Sequence, residues 1–168
     1  ETAVPAILKA AFPNSGQTCS AGSRVLVHRK VQDQFVDRIS GQLRKLTVSR
    51  GLDDPDIGPL ISAEQRRKVA GYIETGKQEG AEAISGGETL DGTDLDAGNF
   101  VLPTILAGAS ASMRVHREEI FGPVLTIVSV ETVEEAAELA NATEYGLWPL
   151  YPSDSADHLH GCSLRGPL

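Results

Sequence analysis

The segment FGPVLTIVSV, residues 121–130, is the strongest strand signal in the chain, because apolar side chains occupy both alternating sets of positions. A strand that is apolar on both faces is typical of the centre of a parallel sheet, where helices cover both sides. This segment therefore favours an α/β fold built on an open, mainly parallel sheet.

Helical and strand patterns alternate along the rest of the chain, as expected for helices on both faces of such a sheet. Ser62 and Thr132 are predicted to cap two of the helices, since Gln65 and Glu135 follow them at the capping-box spacing. Strands are predicted at residues 24–28, 81–87, 100–106 and 121–130, and helices at 1–12, 31–46, 63–80 and from 132 to about 145.

The organisation of the chain is that of one domain, residues 1–150, followed by a divergent tail, residues 151–168. Neither an internal repeat nor a low-complexity linker interrupts the first 150 residues. The chain opens on Glu1 rather than Met and enters a helical pattern almost at once. We therefore expect the sequence to be a piece of a longer protein.

The charge balance excludes several partner classes. The 168 residues include 23 acidic and 15 basic side chains, scattered without a block of like charge. Nucleic acids and anionic membranes require a basic patch, so neither is an expected partner. No apolar run reaches about 20 residues and the N-terminus lacks a signal-peptide pattern, which predicts a cytoplasmic protein. The two cysteines are predicted to be free thiols.

The first of these cysteines, Cys19, lies in the polar stretch FPNSGQTCSAGSR. A thiol becomes a nucleophile as the thiolate, and backbone N–H groups at a helix start favour that form. The small residues at 20–23 predict such a helical turn, which would direct N–H groups at the sulfur. The alternative is that Cys19 is a small core residue, because free cysteine is often buried. The residues alone leave both readings open.

The run Asn14 to Cys19 resembles the N-x-G-Q-x-C signature of the aldehyde dehydrogenase superfamily, in which the cysteine is the nucleophile. Further segments resemble the same family in the expected order, and the resemblance extends from residue 1 to about residue 147. They are GPLIS at 58–62, EGAEAISGG at 79–87, FVLPTIL at 100–106, Met113, EEIFGPV at 118–124 and EEAAELANATEYGL at 134–147.

The resemblance implies a covalent oxidation of a small-molecule aldehyde. The Cys19 thiolate would form a thiohemiacetal, hydride would pass to NAD or NADP, and the resulting thioester would be hydrolysed. By the same resemblance, the cofactor-binding residues are Glu119 and Phe121 beside the nicotinamide ribose and ring, with Gln65 and Lys68 near the ribose and diphosphate. Taken alone, Glu119 is typical of a solvated acid and Phe121 of a core ring.

The family pattern is incomplete in this chain. The dinucleotide-binding domain, the asparagine of the oxyanion hole and the general-base glutamate of the family lie upstream of the cysteine and have no counterpart here, and no G-x-G-x-x-G turn replaces them. We therefore expect weak or absent cofactor binding in the isolated chain. The alternatives are a cofactor-independent thiol esterase and a non-enzymatic remnant or binding module.

Two placements complete the expectations. Cys19 is predicted to lie at the carboxyl edge of the sheet, in one cleft with Glu119 and Phe121. Isolation from the remainder of the family's fold should expose apolar surface, which predicts a homo-oligomer. In the tail, HLHGC could present His158, His160 and Cys162 as metal ligands, but a closed site needs a fourth ligand, so no metal is predicted.

Overall fold

The computed structural model of the chain describes residues 3–87, 95 and 97–145. Its four strands form one open sheet in the order β1-β4-β3-β2. The strands are β1 (Arg24–His28), β2 (Glu82–Ser85), β3 (Thr104–Ala109) and β4 (Val124–Val130). β4 pairs in parallel with both β1 and β3, whereas β2 pairs antiparallel with β3. The predicted open, mainly parallel sheet is therefore confirmed, with the doubly apolar segment at its centre.

Helices cover both faces of this sheet, as predicted. One face packs Ile105, Leu125 and Ile127 against the first two helices, and the other packs Leu106 and Val128 against the third and fourth. The alternation of side chains along β3 and β4 therefore divides the core into two layers. The helices are α1 (Ala3–Ala11), α2 (Arg29–Leu43), α3 (Ala63–Glu79), α4 (Arg114–Arg117) and α5 (Val133–Asn141).

The predicted caps are present at two helix starts. The Ser62 hydroxyl accepts from the backbone N–H of Gln65 at 3.1 Å, and Thr132 accepts in the same way from Glu135 at 3.1 Å. α3 ends at Gly80, whose φ of 106° suits a residue without a side chain. These contacts fix both ends of α3, the helix that carries Gln65 and Lys68.

Several element boundaries differ from the prediction: β4 begins at Val124 rather than residue 121, and α2 and α5 end at Leu43 and Asn141, before the predicted ends. The starts of α2 and β3 differ for a local reason. α2 begins at Arg29 rather than residue 31, because the ring nitrogen Nδ1 of His28 caps it by accepting from the N–H of Lys30 at 3.1 Å. β3 begins at Thr104 rather than residue 100, directly after Pro103, which has no N–H to donate to a ladder. Histidine is not among the preferred capping residues, so the start of α2 carried no sequence signal.

None of the helices within residues 3–87 and 97–145 combines the length and apolar content that a bilayer span requires. The proposed metal ligands of HLHGC and the tail at 151–168 lie outside the described residues.

His116 of α4 is a polar side chain within the second core layer. Its exposed fraction is 1%, and neither ring nitrogen has a hydrogen-bond partner among the described residues. Burial, and to a smaller extent the charge of Arg24, lower the pKa of His116. The folded state therefore holds the neutral ring, and protonation opposes folding.

Replacing His116 with leucine is expected to flatten the pH dependence of stability. The unfolded histidine titrates near 6.5, so below about pH 6.5 the unfolded chain binds this proton more readily and the folded state loses stability. Above that pH the group contributes no slope. Urea unfolding at pH 7.5, 6.5 and 5.5 should show a loss of up to about 1.4 kcal/mol per pH unit in the wild type that His116→Leu lacks. An equal decline in both proteins would contradict this.

Candidate functional site

Three loops meet at the edge of the sheet where β1 and β4 begin. They are the cysteine loop (residues 13–23), the GPLIS segment (residues 58–62) and the EEIFGP segment (residues 118–123). β1 and β4 are parallel neighbours, so the loops that precede them lie at the same edge. We expected the site at the carboxyl ends of the parallel strands, and this expectation is wrong. The cysteine loop and the EEIFGP segment precede β1 and β4, so both lie at the amino ends of these strands.

The cysteine loop begins with a left-handed turn. Asn14, Ser15 and Gly16 have φ values of 52°, 57° and 69°. This conformation is costly for residues other than glycine and persists where surrounding contacts determine it. Here the buried Ser15 hydroxyl donates to the carbonyl of Gly58 at 2.9 Å, and the Gln17 side-chain oxygen accepts from the N–H of Ile61 at 2.9 Å. The GPLIS segment therefore holds the cysteine loop in place.

Gly16 brings the cysteine loop into contact with the EEIFGP segment. A Cβ atom built on Gly16 would lie 2.1 Å from the carbonyl oxygen of Gly122, a distance that no side chain tolerates. The sequence predicted a cleft shared by the motifs of Cys19 and Glu119, and the structure brings together the loops that carry these residues. At this contact the backbone of Gly16 lies against the backbone of Gly122.

Cys19 itself is a free, exposed thiol. No helix follows it: the N–H of Ala21 bonds to the carbonyl of Thr18 at 2.9 Å, that of Gly22 bonds to the carbonyl of Ala10 at 3.0 Å, and the chain then enters β1. The expected helical turn at residues 20–23 is therefore wrong, since the N–H groups of Ala21 and Gly22 bond to carbonyls that lie before this segment. The alternative of a buried core cysteine is also wrong.

Glu118, the first acid of the EEIFGP segment, is tied to two helices. Its carboxylate accepts two hydrogen bonds from the Arg114 guanidinium, each 2.8 Å, and one from the Tyr72 hydroxyl at 2.7 Å. These bonds, first from Arg114 and then from Tyr72, lower the pKa of Glu118 to about 2. Glu119, the next residue, is exposed. The first acid is thus anchored to the protein, while the second faces solvent.

Gln65 contacts the same segment from α3. Its side-chain amide donates to the carbonyls of Ile120 at 3.1 Å and Phe121 at 2.8 Å. Phe121 is half-buried and has a φ of 58°, a left-handed value that is unusual for a bulky residue. Lys68 is exposed, with Nζ 5.9 Å from the centre of the Tyr72 ring. All four predicted cofactor residues therefore lie on the EEIFGP segment or on the helix bonded to it.

Several residues of this site were not predicted from the sequence. The Arg114–Glu118 pair has the i, i+4 spacing of a helical ion pair, which was a detectable signal. Ser15 and Tyr72 bond to Gly58 and Glu118, which are distant in sequence, so no local spacing indicated these contacts. Among residues 3–87, 95 and 97–145, no cluster of three histidine, cysteine or acidic side chains could hold a metal ion.

Comparisons with known proteins agree with these motifs. The model of the aldehyde dehydrogenase family matches residues 1–164. The putative aldehyde dehydrogenase DhaS of Bacillus subtilis (strain 168) is 45% identical over 146 residues, which cover 86% of this chain and 29% of that protein. The betaine aldehyde dehydrogenase of the same organism is 43% identical over 148 residues, which cover 88% of this chain and 30% of that protein.

Solved structures show the same similarity. The betaine aldehyde dehydrogenase of Staphylococcus aureus, crystallised in complex with NAD+, has a TM-score of 0.82 and 41% identity, over 86% of this chain and 29% of that one. The 1-pyrroline-5-carboxylate dehydrogenase from Thermus with bound NAD has a TM-score of 0.84 and 37% identity, over 94% of this chain and 30% of that one. The chain thus spans less than a third of the length of these relatives.

Proposed function

Because the chain belongs to the aldehyde dehydrogenase family, we propose that it carries the nucleophile for the NAD(P)-dependent oxidation of an aldehyde to the corresponding acid. The observation that carries this proposal is the exposed Cys19 thiol on a loop held by both other motif segments. A nucleophile must be accessible and fixed at the same time, and this loop supports both properties.

The proposed reaction begins at the Cys19 sulfur. The thiolate attacks the aldehyde carbonyl carbon, a C–S bond forms, and the carbonyl electron pair moves to oxygen to give the thiohemiacetal. NAD or NADP, if bound, would supply the acceptor for the hydride of this carbon, which leaves a thioester on Cys19. Water then attacks the thioester, and the acid and the free thiol are released. Only this hydrolysis breaks the C–S bond, and it returns the sulfur for another turnover.

The residues proposed to hold NAD or NADP fit parts of that molecule. The exposed Glu119 carboxylate offers acceptor oxygens to ribose hydroxyls, and the half-buried Phe121 ring offers an apolar surface to the nicotinamide. On α3, the exposed ammonium of Lys68 is suited to the diphosphate, and Gln65, whose side-chain amide bonds to the EEIFGP segment, lies on the side of the ribose. These four groups address one end of a dinucleotide, so they support weak binding, with a Kd of about 1 mM or higher.

An aldehyde is the substrate class that this proposal names. Proteins called betaine aldehyde dehydrogenase and 1-pyrroline-5-carboxylate dehydrogenase resemble this chain to similar degrees, at 41% and 37% identity. Neither comparison favours an individual aldehyde.

A thiol esterase activity is the second candidate function. It is favoured by one observation, namely that the loop carrying the exposed thiol is held by the GPLIS and EEIFGP segments of the same domain. Acylation of a thiolate by an activated ester needs no cofactor, only the nucleophile and a donor to the developing oxyanion. The exposed Cys19 thiol supplies the nucleophile for that half of the chemistry.

The wild-type chain is expected to cleave a chromogenic ester in a burst but to produce little NADH from an aldehyde and NAD. Acylation uses the cysteine loop, whereas hydride transfer also needs a dinucleotide that four side chains hold weakly. Stopped-flow absorbance of the released chromophore and absorbance at the NADH band measure the two reactions. Robust NADH formation would contradict weak cofactor binding, and absence of ester cleavage would contradict the proposed nucleophile.

We also propose that the chain forms a homo-oligomer and resides in the cytoplasm. Three large apolar side chains support the first proposal: Leu52, Ile61 and Val133 are 99%, 83% and 80% exposed. Such surface is commonly covered between copies of a chain.

A further inference from the structure

The turn from residue 120 to residue 123 has a hydrogen-bond donor at each of its carbonyls. Those of Gly122 and Pro123 accept from the backbone N–H groups of Val124 at 2.7 Å and Thr104 at 2.9 Å. Those of Ile120 and Phe121 both accept from the side-chain amide of Gln65. One side chain on α3 therefore holds half of this turn.

Phe121 is the residue of the turn that most needs an external contact. Its φ of 58° lies in the left-handed region, where an aromatic residue is strained and persists only when its surroundings determine the conformation. Ile120 is buried on one side of it, and a Cβ on Gly122 would lie 2.5 Å from the Val69 side chain on the other. The two carbonyls that accept from Gln65 belong to the peptide groups before and after Phe121, so Gln65 holds the strained residue from both sides.

Gln65 occupies the capping-box position of α3, but its side-chain amide bonds to another segment of the chain. A glutamine three residues after a serine cap commonly bonds back to the N–H of the cap residue. Here the Ser62 hydroxyl accepts from the Gln65 backbone, but the Gln65 side chain reaches across to the EEIFGP segment. The helix start is thus capped on one side, and the second half of the capping box is replaced by the contact with Phe121.

We propose that Gln65 is a positioning residue whose two amide hydrogens hold Phe121 in the left-handed conformation and thereby orient Phe121 and Glu119 beside the cysteine loop. The inference rests on the proposed function only for the statement that Phe121 and Glu119 bind NAD or NADP. Donation is the property that matters, since both partners are carbonyl oxygens. A glutamate at this position would set a carboxylate against two acceptors, and a methionine of similar length would remove the donors without adding charge.

The first test is hydrogen exchange of the full chain, followed by mass spectrometry of peptides covering residues 118–124. Gln65→Glu and Gln65→Met are each expected to exchange about tenfold faster there, with the remainder of α3 and β3 unchanged. Gln78→Met is the matched control, because Gln78 lies on the same helix and, within the part of the chain that the structure describes, its side chain bonds to the exposed Glu74 at 3.0 Å. Wild-type exchange in both Gln65 variants, or a uniform increase across the domain, would overturn the proposal.

The second test separates positioning from direct contact with a cofactor. Saturation-transfer NMR with NAD should show an affinity about tenfold weaker in both Gln65 variants, and an affinity equal to that of wild type in the control Gln78→Met. If the Gln65 oxygen instead contacted the cofactor directly, Gln65→Glu would bind NAD as wild type does, and the proposal would fail. If the wild type bound no NAD, the proposed cofactor role would fail, and local exchange at residues 118–124 would still decide the role of Gln65.

Discussion

Cys19→Ala is expected to abolish the burst of ester cleavage, lowering its rate by about 10³ or more. The substitution removes the nucleophile and leaves the loop intact, because Cys19 is exposed and the contacts that hold the loop come from Ser15, Gly16 and Gln17. Stopped-flow measurement of chromophore release, with mass spectrometry of the acylated chain, would record both the rate and the site of acylation.

The chain offers a matched control in its second thiol. Cys162→Ala removes one sulfur, as Cys19→Ala does, and should leave the burst unchanged. Equal ester cleavage by wild type and Cys19→Ala would refute the proposed nucleophile and favour the non-enzymatic alternative. Loss of the burst in Cys162→Ala alone would assign the chemistry to the other thiol.

Gly16→Ala is expected to lower the free energy of unfolding by about 3 kcal/mol or more and to disorder the cysteine loop. The new Cβ would lie 2.1 Å from the Gly122 carbonyl oxygen, and the φ of 69° is itself unfavourable for alanine. Since the obstacle is backbone, no rotamer change relieves it, and the two loops must separate. Urea unfolding measures the stability, and the rate of Cys19 alkylation reports on the loop.

Gly41→Ala is the control for this effect. Gly41 lies within α2, and a Cβ built there would meet nothing within 4 Å. The same chemical change should therefore raise stability by about 0.5–1 kcal/mol, through helix propensity and reduced freedom of the unfolded chain. Similar losses in both variants would show that the Gly16 contact with Gly122 has no special role.

Much of the fold could be predicted because its signals are local. The doubly apolar run at 121–130 contains the central strand, of which the structure forms residues 124–130, and the caps Ser62 and Thr132 directly precede the helices that they start. The start of α2 was missed because its cap is a histidine. The start of β3 was missed because Pro103 interrupts an otherwise apolar run.

The candidate site was predictable only as far as its motifs reach. The run from Asn14 to Cys19 and the EEIFGP segment singled out the loops that the structure brings into contact. The site was predicted at the wrong edge of the sheet because the small residues after Cys19 suggested a helix. In the structure the N–H groups of Ala21 and Gly22 bond to the carbonyls of Thr18 and Ala10, and the chain then enters β1. The contacts of Ser15 with Gly58 and of Tyr72 with Glu118 join residues 43 and 46 positions apart, which no local spacing encodes.

The pairing of β1 with β4 has a consequence for biosynthesis. Gly16 contacts Gly122, and the described neighbour of β1 in the sheet is β4, so the cysteine loop lacks its contacts with the EEIFGP segment and β4 until roughly a hundred further residues are translated. At about 5–20 residues per second, the ribosome needs on the order of 5–20 s to supply them. During that interval the Cys19 thiol is attached to a loop that lacks its β4-side contacts. The nascent chain therefore exposes a free thiol for several seconds before Gly16 can contact Gly122.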